Sequence, residues 1–106
     1  MNYDFVAKRI YTSLKENNIN FKEFYFIKDD DFYIYPERNF DFYVILVSDL
    51  EDNKKNNDLM FDLVYPLLNE YEIDVLICLY TEETFNRDST IKNLSSGAGK
   101  KYVAWY

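Results

Sequence analysis

Three groups of carboxylates in this chain could do chemistry. Asp41 stands directly before the apolar run "FYVILV", Asp74 directly before "VLICLY", and Asp29, Asp30 and Asp31 form an uninterrupted run. Carboxylates gathered in one place hold hard divalent cations such as Mg²⁺ and can move protons. Here they would act without the usual helpers. The chain has no histidine, which removes the commonest general base and metal ligand and excludes Ser-His-Asp and Cys-His sites within one chain. Its single cysteine, Cys78 in "IDVLICLY", can make neither an internal disulfide nor a zinc site, and its apolar neighbours point to a buried, inert thiol. Any reaction would rest on carboxylates, lysines and tyrosines. Each acid also has a plainer reading: Asp29 to Asp31 as a solvated turn, Asp41 as a polar strand-entry residue beside "PERN", and Asp74 as an outward-facing or lysine-paired acid.

Binding is the other use these residues suggest. Of 106 residues, 20% are aromatic, with eleven tyrosines and nine phenylalanines. Tyr25, Tyr33, Tyr35 and Tyr43 are candidate recognition residues, because tyrosine offers an apolar face and a hydroxyl at little entropic cost. One small core cannot pair eleven phenolic hydroxyls, so several are expected at the surface. Trp105 reads as a packing anchor or an interface residue. The net charge is −7 and unevenly spread: Asp29 to Asp74 holds thirteen acids against three bases. That excess argues against direct nucleic-acid binding, which needs a basic surface. It suits a basic protein partner or metal ions, or simply keeps a small protein soluble.

These residues need elements to position them. "YDFVAKRIYTSLKENN" predicts a helix burying Val6, Ile10 and Leu14, started by Asn2 or Asp4 and ended by Asn17 and Asn18. "NFKEFYFI" predicts a strand, "KDDD" a turn, and "FYIY" a short strand or ordered loop. "FDFYVILV" predicts a central strand, since Val44 to Val47 is apolar on both faces. "SDLEDNKKNND" reads as a loop. "LMFDLVYPLLNEY" reads as a helix with Leu59, Leu63, Val64, Leu67 and Leu68 on one face, and Pro66 should kink it or loosen its last turn. "EIDVLICLY" predicts another strand. "TEETF" starts a helix capped by Thr81, "STIKNLSSG" is a short helix ending near Gly97, and "KKYVAWY" is a last strand or an ordered tail. The sum is a single α/β (α+β) domain with a mixed sheet of about four strands and two or three helices. No apolar run reaches membrane-span length and the N-terminus lacks a signal-peptide core, so a cytoplasmic, membrane-free location is expected.

From Asn39 to Phe85, "NFDFYVILVSDLEDNKKNNDLMFDLVYPLLNEYEIDVLICLYTEETF" resembles the minimal nucleotidyltransferases of bacteria and archaea, often the antitoxin halves of toxin–antitoxin pairs. "IKNLSSGAGKKYVAWY" stands where that family's closing segment would be, so the likeness covers roughly residues 39–106. The resemblance implies a nucleotidyltransferase-like fold and a site built from Gly-Ser followed, after ten residues, by Asp-x-Asp. In such a site glycine lets the backbone approach a triphosphate, and two alternating carboxylates hold Mg²⁺. This chain departs from the pattern. Asp29 and Asp30 replace Gly-Ser, and Tyr43 replaces the second carboxylate, leaving Asp41, with Asp74 where some members place a third acid. Acids where a triphosphate should lie repel it.

The expectation is therefore a non-catalytic nucleotidyltransferase-like protein, with no catalytic or metal-ligating residue, that acts by protein–protein binding. An antitoxin-like role, or inhibition of a basic effector or defence enzyme, fits the charge. The expected binding residues are Asp29, Asp30, Asp31, Tyr33, Tyr35, Asp41, Tyr43 and Asp74. No cofactor is expected, Mg²⁺ with a nucleotide entering only if the vestigial pocket still binds. Two alternatives stand beside it. One is an unrelated small acidic inhibitor, immunity or phage anti-defence protein, including a DNA mimic. The other is an active Mg²⁺-dependent nucleotidyltransferase. The aromatic surface also leaves a homodimer open.

Overall fold

A computed structural model of the chain describes residues 3–28, 40–97 and the backbone of residues 100–102. In chain order the elements are α1 (Tyr3–Glu16), β1 (Phe21–Lys28), β2 (Phe42–Ser48), α2 (Lys54–Tyr71), β3 (Val75–Tyr80), α3 (Glu82–Arg87), α4 (Ser89–Gly97) and β4 (Lys100–Tyr102). The strands make one mixed sheet in the order β3-β2-β1-β4. β2 and β3 run parallel, joined by α2 as a crossover, while β1 is antiparallel to both β2 and β4. This is the small α+β domain expected from the alternation of helical and strand patterns. The candidate strand "FYIY" lies outside the described residues, as does Trp105.

Period-two alternation sorts the sheet's side chains into two cores. Phe24, Phe26, Phe42, Val44, Leu46, Val75, Ile77 and Leu79 face α1 and α2. Tyr25, Ile27, Tyr43, Ile45 and Val47 face the opposite way, where Phe85 of α3 and Ile91 and Leu94 of α4 cover them. With helices on both sides, all seven residues of β2 are buried, as its unbroken apolar run predicts.

α1 buries Val6, Ile10 and Leu14 as expected, with Ala7 and Tyr11 widening the stripe. It ends where the asparagines predict. Asn18 takes a left-handed conformation, φ 61°, and the Ile19 N–H reaches back to the Leu14 carbonyl at 3.0 Å.

α2 differs from its prediction in two ways. It begins at Lys54, five residues earlier than the apolar pattern suggested, because the Asn53 side chain caps it by accepting from the Asn56 N–H. Its buried stripe is Met60, Val64, Leu67 and Leu68, with Leu63 half-buried and Leu59 turned outward. The helix runs through Pro66 without ending there. It stops at Glu72, which is left-handed at φ 53°, while the Ile73 N–H bonds the Leu68 carbonyl and both side chains enter the core. The residues after Thr81 form two helices. The break falls at Asp88, whose carboxylate accepts from the Ile91 N–H at 3.0 Å and so starts α4.

Glu72 is an exposed residue in a conformation that suits glycine, at a helix end that repels negative charge. Glu72→Gly should raise stability by about 0.5–1 kcal/mol in urea denaturation. Leu46→Ala, in the centre of the buried strand, should lower it by about 2–5 kcal/mol.

Candidate functional site: the mouth of the parallel strand pair

Asp41 and Asp74 come together at the N-terminal ends of β2 and β3. They are joined through the backbone as well as the side chain. The Asp41 N–H donates to the Asp74 carbonyl at 2.8 Å, and the Asp74 N–H donates to Asp41 Oδ2 at 2.8 Å. The other carboxylate oxygen, Oδ1, accepts from the Tyr3 hydroxyl at 3.1 Å. Tyr3 is held there by its ring, 5.6 Å from that of Phe42. One carboxylate thus fastens the start of β2 to the start of β3 and to the first turn of α1.

The geometry does not pair positions 41 and 43. Asp41 lies in a bend before β2, so the strand's alternation does not govern it, and its carboxylate turns toward Tyr3 on the α1 side. Tyr43 lies within β2, fully buried on the α3–α4 side, with its ring 5.6 Å from that of Phe40. Its assignment to a contact surface is corrected accordingly: Tyr43 serves the core. Tyr25 does the same, stacked on Phe85 at 5.8 Å. The Asp74 side chain is exposed. Asp29, Asp30, Asp31, Tyr33 and Tyr35 lie outside the described residues. Among the described residues, no group of three or more Cys, Asp or Glu side chains is gathered as a metal site.

The Tyr3 phenol is held above its ordinary value, first by its hydrogen bond to Asp41, then by loss of solvent and the nearby negative charge. Cys78 on β3 retains some exposed surface, yet the packing around its sulfur, with Asp52 nearby, pushes the thiol up to about 12. It is a protonated thiol at neutral pH, inert as expected but half-buried rather than buried.

Two surface features escaped the sequence reading. Shallow clefts of about 340 Å³ and 320 Å³ lie along β3, the first lined by Asp52, Asn57 and Leu76 to Tyr80, the second by Asp58, Phe61, Val64 and Val75 to Ile77. Phe61 and Tyr65 stand exposed on α2 beside them, their rings 5.3 Å apart. Their four-residue spacing was a visible signal, because it sets both side by side along the flank of the stripe that buries Met60 and Val64.

Comparison with protein-family models, with curated proteins and with solved structures finds no match to this chain.

Asp41→Ala removes both acceptors at the strand mouth and should lower stability by about 1–3 kcal/mol in chemical denaturation. Because the Tyr3 value is raised in the folded state, the stability from its bond to Asp41 is fully present below the unfolded phenol value of about 10. That contribution is lost as the pH climbs through the folded value. Titration followed by ¹³C NMR of the tyrosine ring carbons should place Tyr3 above an ordinary phenol in the native protein and move it back down in Asp41→Asn.

Proposed function

We propose that this domain works by binding another protein that presents a basic surface, on a nucleotidyltransferase-like scaffold that does not transfer nucleotides. The observation that carries the reading is the use made of Asp41. In the resemblance it is the one carboxylate left from Asp-x-Asp, and here both of its oxygens are engaged in holding α1, β2 and β3 together. Tyr43, where the second carboxylate would stand, is a core residue on the other side of the sheet. A helical crossover directly after Asp41 is what the scaffold part of this reading requires, and β2–α2–β3 is such a crossover.

Surface charge supports the partner part. From Asp41 to Asp74 the chain carries nine acids, eight of them exposed, against two lysines. A field of one sign speeds encounter with an oppositely charged protein and is weakened by salt. Within this proposal the partner is a basic effector, toxin or defence enzyme, and the domain is its antitoxin-like or inhibitory counterpart.

The test is an NMR titration of the ¹⁵N-labelled protein with ATP and Mg²⁺, alongside an assay for nucleotide transfer. Millimolar ATP should leave the amides of Asp41 and Asp74 unmoved and no label should be transferred. Immobilised protein should retain basic proteins at low salt and release them as salt rises. Localised shifts at Asp41 and Asp74, with turnover lost in both Asp41→Asn and Asp74→Asn, would overturn the reading. Asp74→Asn separates lost chemistry from lost folding, because Asp74 takes part in the strand mouth through its backbone N–H and carbonyl.

A further inference from the structure

The two edges of the sheet differ. At one edge β1 pairs with β4, whereas among the described residues no strand pairs with the outer edge of β3. β3 reads Val-Leu-Ile-Cys-Leu-Tyr and contains no proline or charge. Those are the usual devices by which an edge strand discourages pairing. Alternate residues of such a strand point their N–H and C=O groups outward, and only another extended backbone satisfies them in a row.

The surroundings of the edge narrow the occupant further. Beside it lie the two clefts, with apolar walls from Val64, Leu76 and Ile77 and the exposed Phe61–Tyr65 ring pair as a shelf, 55% and 51% accessible. At the rim stand two carboxylates, Asp52 in one cleft and Asp58 in the other. Asp58 pairs with Lys54 at 2.6 Å, with both side chains largely exposed, so an incoming cation can compete. A backbone ladder, apolar pockets and an acidic rim together match an extended segment whose apolar residues alternate with lysine or arginine. A second copy of this chain fits less well. Pairing β3 with itself about a two-fold axis brings the same acidic rims together on two chains that each carry −7.

We infer that the outer edge of β3, with the Phe61–Tyr65 shelf, is a docking site for an extended, basic segment of a partner protein, added to the sheet as a fifth strand. This deepens the protein-binding reading above and rests on it.

The probe is a synthetic peptide alternating valine and lysine, titrated into the ¹⁵N-labelled protein. Shifts should concentrate in the amides of Val75 to Tyr80 and in Phe61 and Tyr65. N-methylating one alternate set of the peptide's backbone amides should weaken binding about tenfold or more, while methylating the other set leaves it intact, because only one set faces the sheet. Replacing lysine by glutamate in the peptide should weaken it at least as much. The doubly substituted Phe61→Ser, Tyr65→Ser protein should keep its dispersed spectrum and bind several-fold more weakly. The inference fails if the peptide does not bind at millimolar concentration, or if both methylated peptides bind alike. It also fails if the shifts fall elsewhere, or if sedimentation shows the free protein already dimeric through β3. Basic proteins retained by the doubly substituted protein as strongly as by the native one would sink the edge site and leave the protein-binding reading standing. If even the native protein retains none, that broader reading falls.

Discussion

Seven consecutive residues, Phe42 to Ser48, are shut off from water on both faces of the sheet. A strand in that position needs helices above and below it, and the rest of the chain supplies them: α1 and α2 on one side, α3 and α4 on the other. The constraint also dictates connection. β3 can lie parallel to β2 only if the chain crosses over one face and returns, and the eighteen residues of α2 do that while covering the apolar side chains they cross. Burial of β2, the parallel pair and the α2 crossover are therefore one physical requirement met three ways.

A parallel pair has a weak point where its strands begin, since no hairpin ties the two ends together. Asp41 meets that need. Its carboxylate accepts from a backbone N–H of the neighbouring strand's entry and from a phenol on α1, so a charged group at the sheet's rim becomes a fastening between three elements. Hydrogen bonds to an ionised carboxylate are stronger than neutral ones, which suits a site that water can reach. The acid that precedes "FYVILV" thus has a structural explanation.

The surface combines two tendencies that pull apart. An apolar edge strand invites pairing with any extended chain, while a dense acidic surface repels copies of the molecule and draws basic ones. That combination is what the proposed association with a different, oppositely charged partner rests on. Exposed ion pairs such as Lys54–Asp58 and Arg87–Glu83 add little to stability.

Much of the fold was legible in the sequence because its signals are local. The four-residue spacing of Val6, Ile10 and Leu14 requires one buried helix face, the double-faced apolar run at Val44 requires a central strand, and the Thr81 side chain caps α3 as its residue type predicts, while α4 ends at Gly97. The early start of α2 was not legible, since Asn53 caps it within a polar stretch that carries no apolar period. Nor were the partners of Asp41, which lie 38 residues before it and 33 after it, or the separation of Asp41 from Tyr43, which depends on a bend rather than on residue type. Residue order alone sets which positions are apolar, at what period, and how the charge is distributed. Which strand became an edge of the sheet among the described residues, and which acid became a fastening, was settled in three dimensions. Those outcomes depend on contacts between segments far apart in the chain, and local periodicity carries no information about which distant segments will meet.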